Sequence, residues 1–168
     1  MKDKIEEGHY YHIYNRGNNK GLIFFEEANY HYFLEKFEMY VVPHCEVFAY
    51  CLMPNHFHLF LKTNDKRCFE RGLRNFFISY VKSINKRYQR VGSLFQGRYK
   101  AKEITSSGYF TNIVTYIHRN PVEAGLVTQP EDYHFSSYHF YLYPTDGLLT
   151  KNPVIEWFSG LELFIASH

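Results

Sequence analysis

Residues 46–63 read EVFAYCLMPNHFHLFLKT, two apolar and aromatic runs (46–53 and 56–63) joined by Pro54-Asn55. Runs of that length about a Pro-Asn turn specify a β-hairpin. Within the second run, strand alternation sends Phe57, Leu59 and Leu61 to one face and His56 and His58 to the other. Upstream, residues 9–15 (HYYHIYN) form a further strand, which ends in a glycine- and asparagine-rich turn over residues 16–21. Between the two, Tyr30, Phe33, Leu34, Phe37 and Val41 recur at helical spacing until Pro43 stops the helix. Downstream, Phe69, Leu73, Phe76, Phe77, Tyr80, Val81, Ile84 and Tyr88 mark one side of a helix over residues 66–90. Residues 94–104 then read as a strand punctuated by Gly97. A last long helix begins at Ser106 or Ser107 and ends near Asn120, where Pro121 follows. The order β-α-β-β-α-β-α predicts an α+β sandwich, an antiparallel sheet with helices on one face. Residues 132–143 are aromatic and ambiguous, residues 144–147 are a turn, and a short helix is expected near residues 154–158. The expected organisation is one domain over residues 1–143 with a C-terminal extension over residues 144–168.

At 168 residues, 45% hydrophobic and 20% aromatic, the chain suffices for one well-filled core and is too apolar for disorder. No run approaches the ~18 apolar residues of a membrane helix, and residues 1–8 lack the apolar stretch of a secretory signal. Cys45, Cys51 and Cys68 are odd in number and without CxxC spacing, as expected of small hydrophobes in a reducing compartment. A cytoplasmic location with no membrane partner is the expectation. The net charge of +2 hides a segregation. Residues 62–102 hold twelve Lys/Arg against two acids, and the rest of the chain holds seven against fifteen. Arg67, Arg71, Arg74, Lys82 and Lys86 fall opposite the apolar side of the second helix. A cationic, aromatic-rich segment is the footprint of a polyanion binder, and equally that of a solvated helix face.

His56 and His58 project together from the start of a strand, directly after a turn. Two imidazoles so spaced can chelate one divalent ion and leave positions open for other ligands; alternatively they are two incidental surface residues among ten histidines. In the last long helix, Tyr109, Phe110, Ile113, Val114 and Ile117 make the buried stripe, with Tyr116 at its edge and Asn120 one turn on. An edge tyrosine is ordinarily amphipathic core, and nothing intrinsic singles this one out of sixteen. A phenol ionises only near pH ~10, so as a nucleophile it needs an activated electrophile, such as a phosphodiester neutralised by a metal ion.

Taken together, YHIYNRGN (residues 11–18), MPNHFHL (53–59), FQGRYK (95–100) and YIHRNPVEAGLV (116–127) resemble the single-tyrosine HUH transposases, most closely the REP-associated tyrosine transposases. Residues 133–138 resemble the aromatic segment that follows in that branch, and the blocks keep the family's order over about residues 9–140. The resemblance implies a ferredoxin-like core, single-stranded DNA next to a hairpin as partner, and a divalent cofactor, Mg²⁺ or Mn²⁺. It implies His56 and His58 as metal ligands, Asn120 as the third, and Tyr116 as the nucleophile that forms a 5′-phosphotyrosine and frees a 3′-OH. Among the remaining residues, Arg67, Arg71, Arg74, Lys82 and Lys86 are expected on backbone phosphates. Arg98 and Lys100, two residues apart on one strand face, are expected to reach a phosphate near the metal, and Arg16 to contact phosphate or base. Two other readings stand beside this one. One is a DNA-binding or regulatory module that keeps the fold without catalysis. The other is a zinc hydrolase whose third ligand is His12 or His44, for which no HExxH-like motif speaks. Monomer or homodimer, with a site within one subunit or shared between two, is left open.

Overall fold

A computed structural model describes residues 4–145 and 147–168; residues 1–3 of the charged start and Asp146 of the expected 144–147 turn lie outside the described residues. Strands β1 (Tyr10–Arg16), β2 (Cys45–Met53), β3 (His56–Thr63) and β4 (Lys100–Glu103) form one antiparallel sheet in the order β2-β3-β1-β4. With α1 (Glu27–Tyr40) and α2 (Lys66–Arg87) as crossovers, this is the expected ferredoxin-like βαββαβ unit.

The hairpin forms as its alternation dictates, Met53 facing His56 and Cys45 facing Thr63. A bulge between Val47 and Ala49 resets the phase of β2. Cys45 and Val47 before it, and Tyr50 and Leu52 after it, all reach the first core, whereas Phe48, Ala49, Cys51 and Met53 reach a second. In the first core Ile13, Phe57, Leu59 and Leu61 meet Phe33 and Phe37 of α1 and Phe69, Leu73, Phe76 and Tyr80 of α2. Each fully buried Phe there contributes about 2–3 kcal/mol. The Asp65 side chain caps α2 by accepting from the Cys68 amide at 2.8 Å. The two helices close tightly at Gly72, where an added Cβ would lie 2.1 Å from the Tyr40 carbonyl oxygen.

Helices on one face describe α1 and α2, and the opposite face acquires a layer of its own. Phe110, Val114 and Ile117 of α3 (Phe110–Glu123) pack there with Tyr138 and Tyr141 of α4 (Tyr138–Leu142), Val154 of α5 (Lys151–Trp157) and Phe164 of α6 (Leu161–Ala166). This apolar layer lies over Phe48 and Phe60. Toward the His56 end of β3 the same face turns polar, and there the site forms. Among the described residues no helix is long and apolar enough to cross a membrane.

Two elements depart from expectation. The strand expected over residues 94–104 is regular only from Lys100 to Glu103. Phe95 bridges Gly17, but between that bridge and the Tyr14–Lys100 pair this strand carries two residues more than β1. The excess loops out at Gly97, whose φ of +75° suits glycine. Likewise α3 does not stop at Asn120 but runs through Pro121 to Glu123. Proline forfeits the amide that would close one helical bond and crowds the carbonyl one turn back, and here both costs fall in the final turn. A Schellman closure follows, with Leu126 N–H donating to the Pro121 carbonyl and Gly125 N–H to that of Val122, both at 2.9 Å. Asn120 is therefore helical, held on the face of Tyr116.

Candidate metal and nucleotidyl site

The Pro54-Asn55 turn is fastened to the loop after β1: Gly17 N–H donates to the Asn55 carbonyl at 2.8 Å, and Ile23 N–H to that of Pro54 at 2.9 Å. The Asn55 side chain points its Nδ2 at the Lys20 carbonyl, 3.4 Å away, so its Oδ1 accepts from His56 Nδ1 at 2.7 Å. With that proton on Nδ1, Nε2 is the nitrogen that holds the lone pair whenever the His56 ring is neutral. It faces Asn120 Oδ1 at 3.2 Å, because Asn120 Nδ2 donates to the Tyr116 carbonyl one turn back, also at 3.2 Å. An imidazole lone pair and an amide oxygen aimed at one space are disposed as two ligands of a single cation.

Two residues along β3, His58 is buried beside Tyr14 of β1, its cross-strand partner, and bonded through Nδ1 to His12 Nε2 at 2.9 Å. Burial, then the neighbouring His12 and His56, holds His58 down to about 3; burial and the Lys102 charge hold His12 down to about 4. Both rings are thus neutral at neutral pH, the form a metal ligand requires. The Tyr116 ring stands edge-on to His58 with centroids 5.4 Å apart and is 52% exposed. Tyr14, Arg16, Lys20, His56, His58, Lys100 and Tyr116 line one cavity of about 560 Å³, all from a single chain. The donor set of two imidazoles and one amide oxygen suits Mn²⁺ and tolerates Mg²⁺.

The structure brings His56, His58, Asn120, Tyr116, Arg16 and Lys100 together and puts the other cations elsewhere. Arg98 does not share the face of Lys100, because the loop at Gly97 throws it to the α2 side of the sheet edge. There it lines a groove of about 700 Å³ with Arg67, Arg71, Arg74, Phe77 and Tyr99. The Tyr99 ring stacks on Phe77 at 5.4 Å, and the Arg98 guanidinium lies 5.1 Å from the Tyr99 ring centre. Lys82 and Lys86 continue the exposed face of α2 past this groove. Asn15 lines both cavities and ties them, donating to the Gly97 carbonyl at 3.1 Å.

His44 is removed from any shared ligation: it precedes Cys45, which pairs with Thr63 at the far end of β3 from His56. Among the described residues no group of three or more His, Cys, Asp and Glu is arranged to hold a metal. Asn55, Tyr14 and Gln96 are site residues that the sequence reading passed over, and His12 enters as a neighbour of His58 rather than a third ligand. Pairing β1 antiparallel to β3 would have found Tyr14 opposite His58, and His12 diagonal to it.

Residues 6–120 match the family model described as "Transposase IS200 like". The chain belongs to the IS200-like transposase family. The match takes in His56, His58, Tyr116 and Asn120 of this transposase. A solved structure of a REP-associated tyrosine transposase bound to a REP hairpin is similar in fold, with a TM-score of 0.66 at 19% identity, covering 90% of this chain and 93% of that one. No curated protein matches the chain.

Proposed function

We propose that this transposase cleaves and rejoins single-stranded DNA beside a hairpin through a covalent bond to Tyr116. The observation that carries the proposal is the convergence, within one chain, of the half-exposed Tyr116 phenol with His56 and His58 around one cavity, with Asn120 Oδ1 3.2 Å from His56 Nε2. His56, His58 and Asn120 would hold a divalent ion, Mg²⁺ or Mn²⁺. When bound, it supplies charge neutralisation at the phosphodiester oxygens. Tyr116 Oη attacks phosphorus and loses its proton; the P–O3′ bond breaks, the 3′-oxygen leaves as a hydroxyl, and the 5′-phosphate remains on tyrosine. Attack by another 3′-OH reverses the exchange and rejoins strands without ATP.

Arg16 and Lys100 flank this cavity and would hold the phosphates on either side of the scissile one. The groove of Arg67, Arg71, Arg74 and Arg98 suits a neighbouring stretch of backbone, with Lys82 and Lys86 extending the same cationic face. The DNA hairpin in the structural neighbour supports a hairpin-flanked partner.

The test is a nicking assay on hairpin-flanked single strands with Mn²⁺. Tyr116→Phe is expected to abolish the covalent adduct while binding DNA within about twofold of wild type. An undiminished adduct overturns the nucleophile. Tight binding with no nicking by the wild-type chain would instead favour a non-catalytic DNA-binding module.

A further inference from the structure

We propose that His12 is a positioning residue: by accepting a hydrogen bond from His58 Nδ1, it fixes the tautomer in which His58 Nε2 is free to bind a metal. The inference rests on the metal reading above and assigns a role to a residue that the reading does not use. The His12–His58 contact, 2.9 Å between Nε2 and Nδ1, holds one proton for two nitrogens. If His12 donates, the proton of neutral His58 sits on Nε2, which is then no ligand. If His58 donates, Nε2 keeps its lone pair. A bound metal selects the second arrangement, and a partner poised to accept prepares it beforehand.

The surroundings favour that role. The His12 ring is buried and stacked on Tyr14 at 4.7 Å, and Tyr14 stacks in turn on His58 at 5.9 Å, which fixes the plane of both imidazoles. His56 is treated in the same way by a different residue, since its Nδ1 donates to Asn55 Oδ1. Both histidines line the cavity, and each has its Nδ1 engaged by a neighbouring side chain, which leaves Nε2 as the nitrogen for a ligand. His12 itself cannot turn to the cavity through Nε2 without breaking the bond to His58.

Mn²⁺ binding to the full chain without DNA tests this by calorimetry, alongside thermal melting. His12→Phe keeps an aromatic ring against Tyr14 and removes the acceptor; Mn²⁺ affinity is expected to fall about 10- to 100-fold. His12→Gln places an amide oxygen near the lost Nε2 and is expected to recover most of the affinity at similar stability, which a merely space-filling role would not produce. Wild-type affinity in His12→Phe, or no recovery in His12→Gln, overturns the proposal. Should His12→Phe fail to fold, long-range ¹⁵N correlation spectra of the metal-free wild-type chain decide: Nδ1–H on His58 is expected, and a proton on Nε2 overturns it. A wild-type chain that binds neither ion overturns the metal reading, and this inference with it.

Discussion

At the scale of single residues, the decisive property of the site is which nitrogen of each histidine is free. His56 and His58 share a strand face by alternation alone, yet the ligand role proposed for them depends on Asn55, His12 and Asn120, which arrive from a turn, another strand and a helix. His56→Ala is accordingly expected to remove Mn²⁺-dependent nicking and leave DNA affinity within a few-fold, read by a gel assay for cleavage and fluorescence anisotropy for binding. A structural residue behaves differently. Gly72→Ala would force a Cβ against the Tyr40 carbonyl, and should lower unfolding free energy by about 2–3 kcal/mol in urea titration with little effect on metal binding. The histidine pair was legible because strand period is local. Tyr116 was not: an edge tyrosine on an amphipathic helix has no signature of its own, and only the resemblance to a known family drew it out.

At the scale of elements, β3 and α2 follow their sequence periods closely, since each sends one regular row of side chains into the first core: Phe57, Leu59 and Leu61 from β3, and Phe69, Leu73, Phe76, Tyr80 and Ile84 from α2. The strand after α2 and the end of α3 did not follow, for opposite reasons. A positive φ at Gly97 breaks a run whose side chains read as strand, while Pro121 reads as a stop yet sits in the last turn, where its missing amide matters least. The first misreading put Arg98 beside Lys100, which the loop at Gly97 separates; the second, corrected, secures Asn120 beside His56. The α2 face carries a prediction of its own. Replacing Arg71 or Arg74 with Ala should weaken DNA binding without altering the adduct on Tyr116. Each lost phosphate contact should also reduce the slope of log K against log salt by ~0.7.

At the scale of the whole molecule, residues 147–168 share a core with α3 rather than standing apart. Phe158 and Phe164 pack in it, and buried His118 of α3 bonds His168 at 2.9 Å and Ser137 Oγ at 2.7 Å. Arg119 also donates to the His168 carbonyl at 2.6 Å, so the side of α3 behind Tyr116 and Asn120 is braced by this segment. Burial holds His168 down to about 4, and His118 well below its usual range. Unfolding lets both take up protons near pH ~6.5, so their contribution to stability is complete above that pH and is lost as pH falls toward 4. The melting temperature should drop between pH 7.5 and 5, and His168→Phe should shrink that drop; an equal drop in the variant would remove His168 from the account. The central claim is nearer the cavity, where one sheet face and one helix must meet on one ion. Anomalous diffraction from a crystal soaked in Mn²⁺ tests it most directly. The account predicts a single manganese peak bound by His56 Nε2, His58 Nε2 and Asn120 Oδ1 of one chain, with the Tyr116 hydroxyl turned toward it. A peak bound elsewhere, or one that leaves out either histidine, would contradict it.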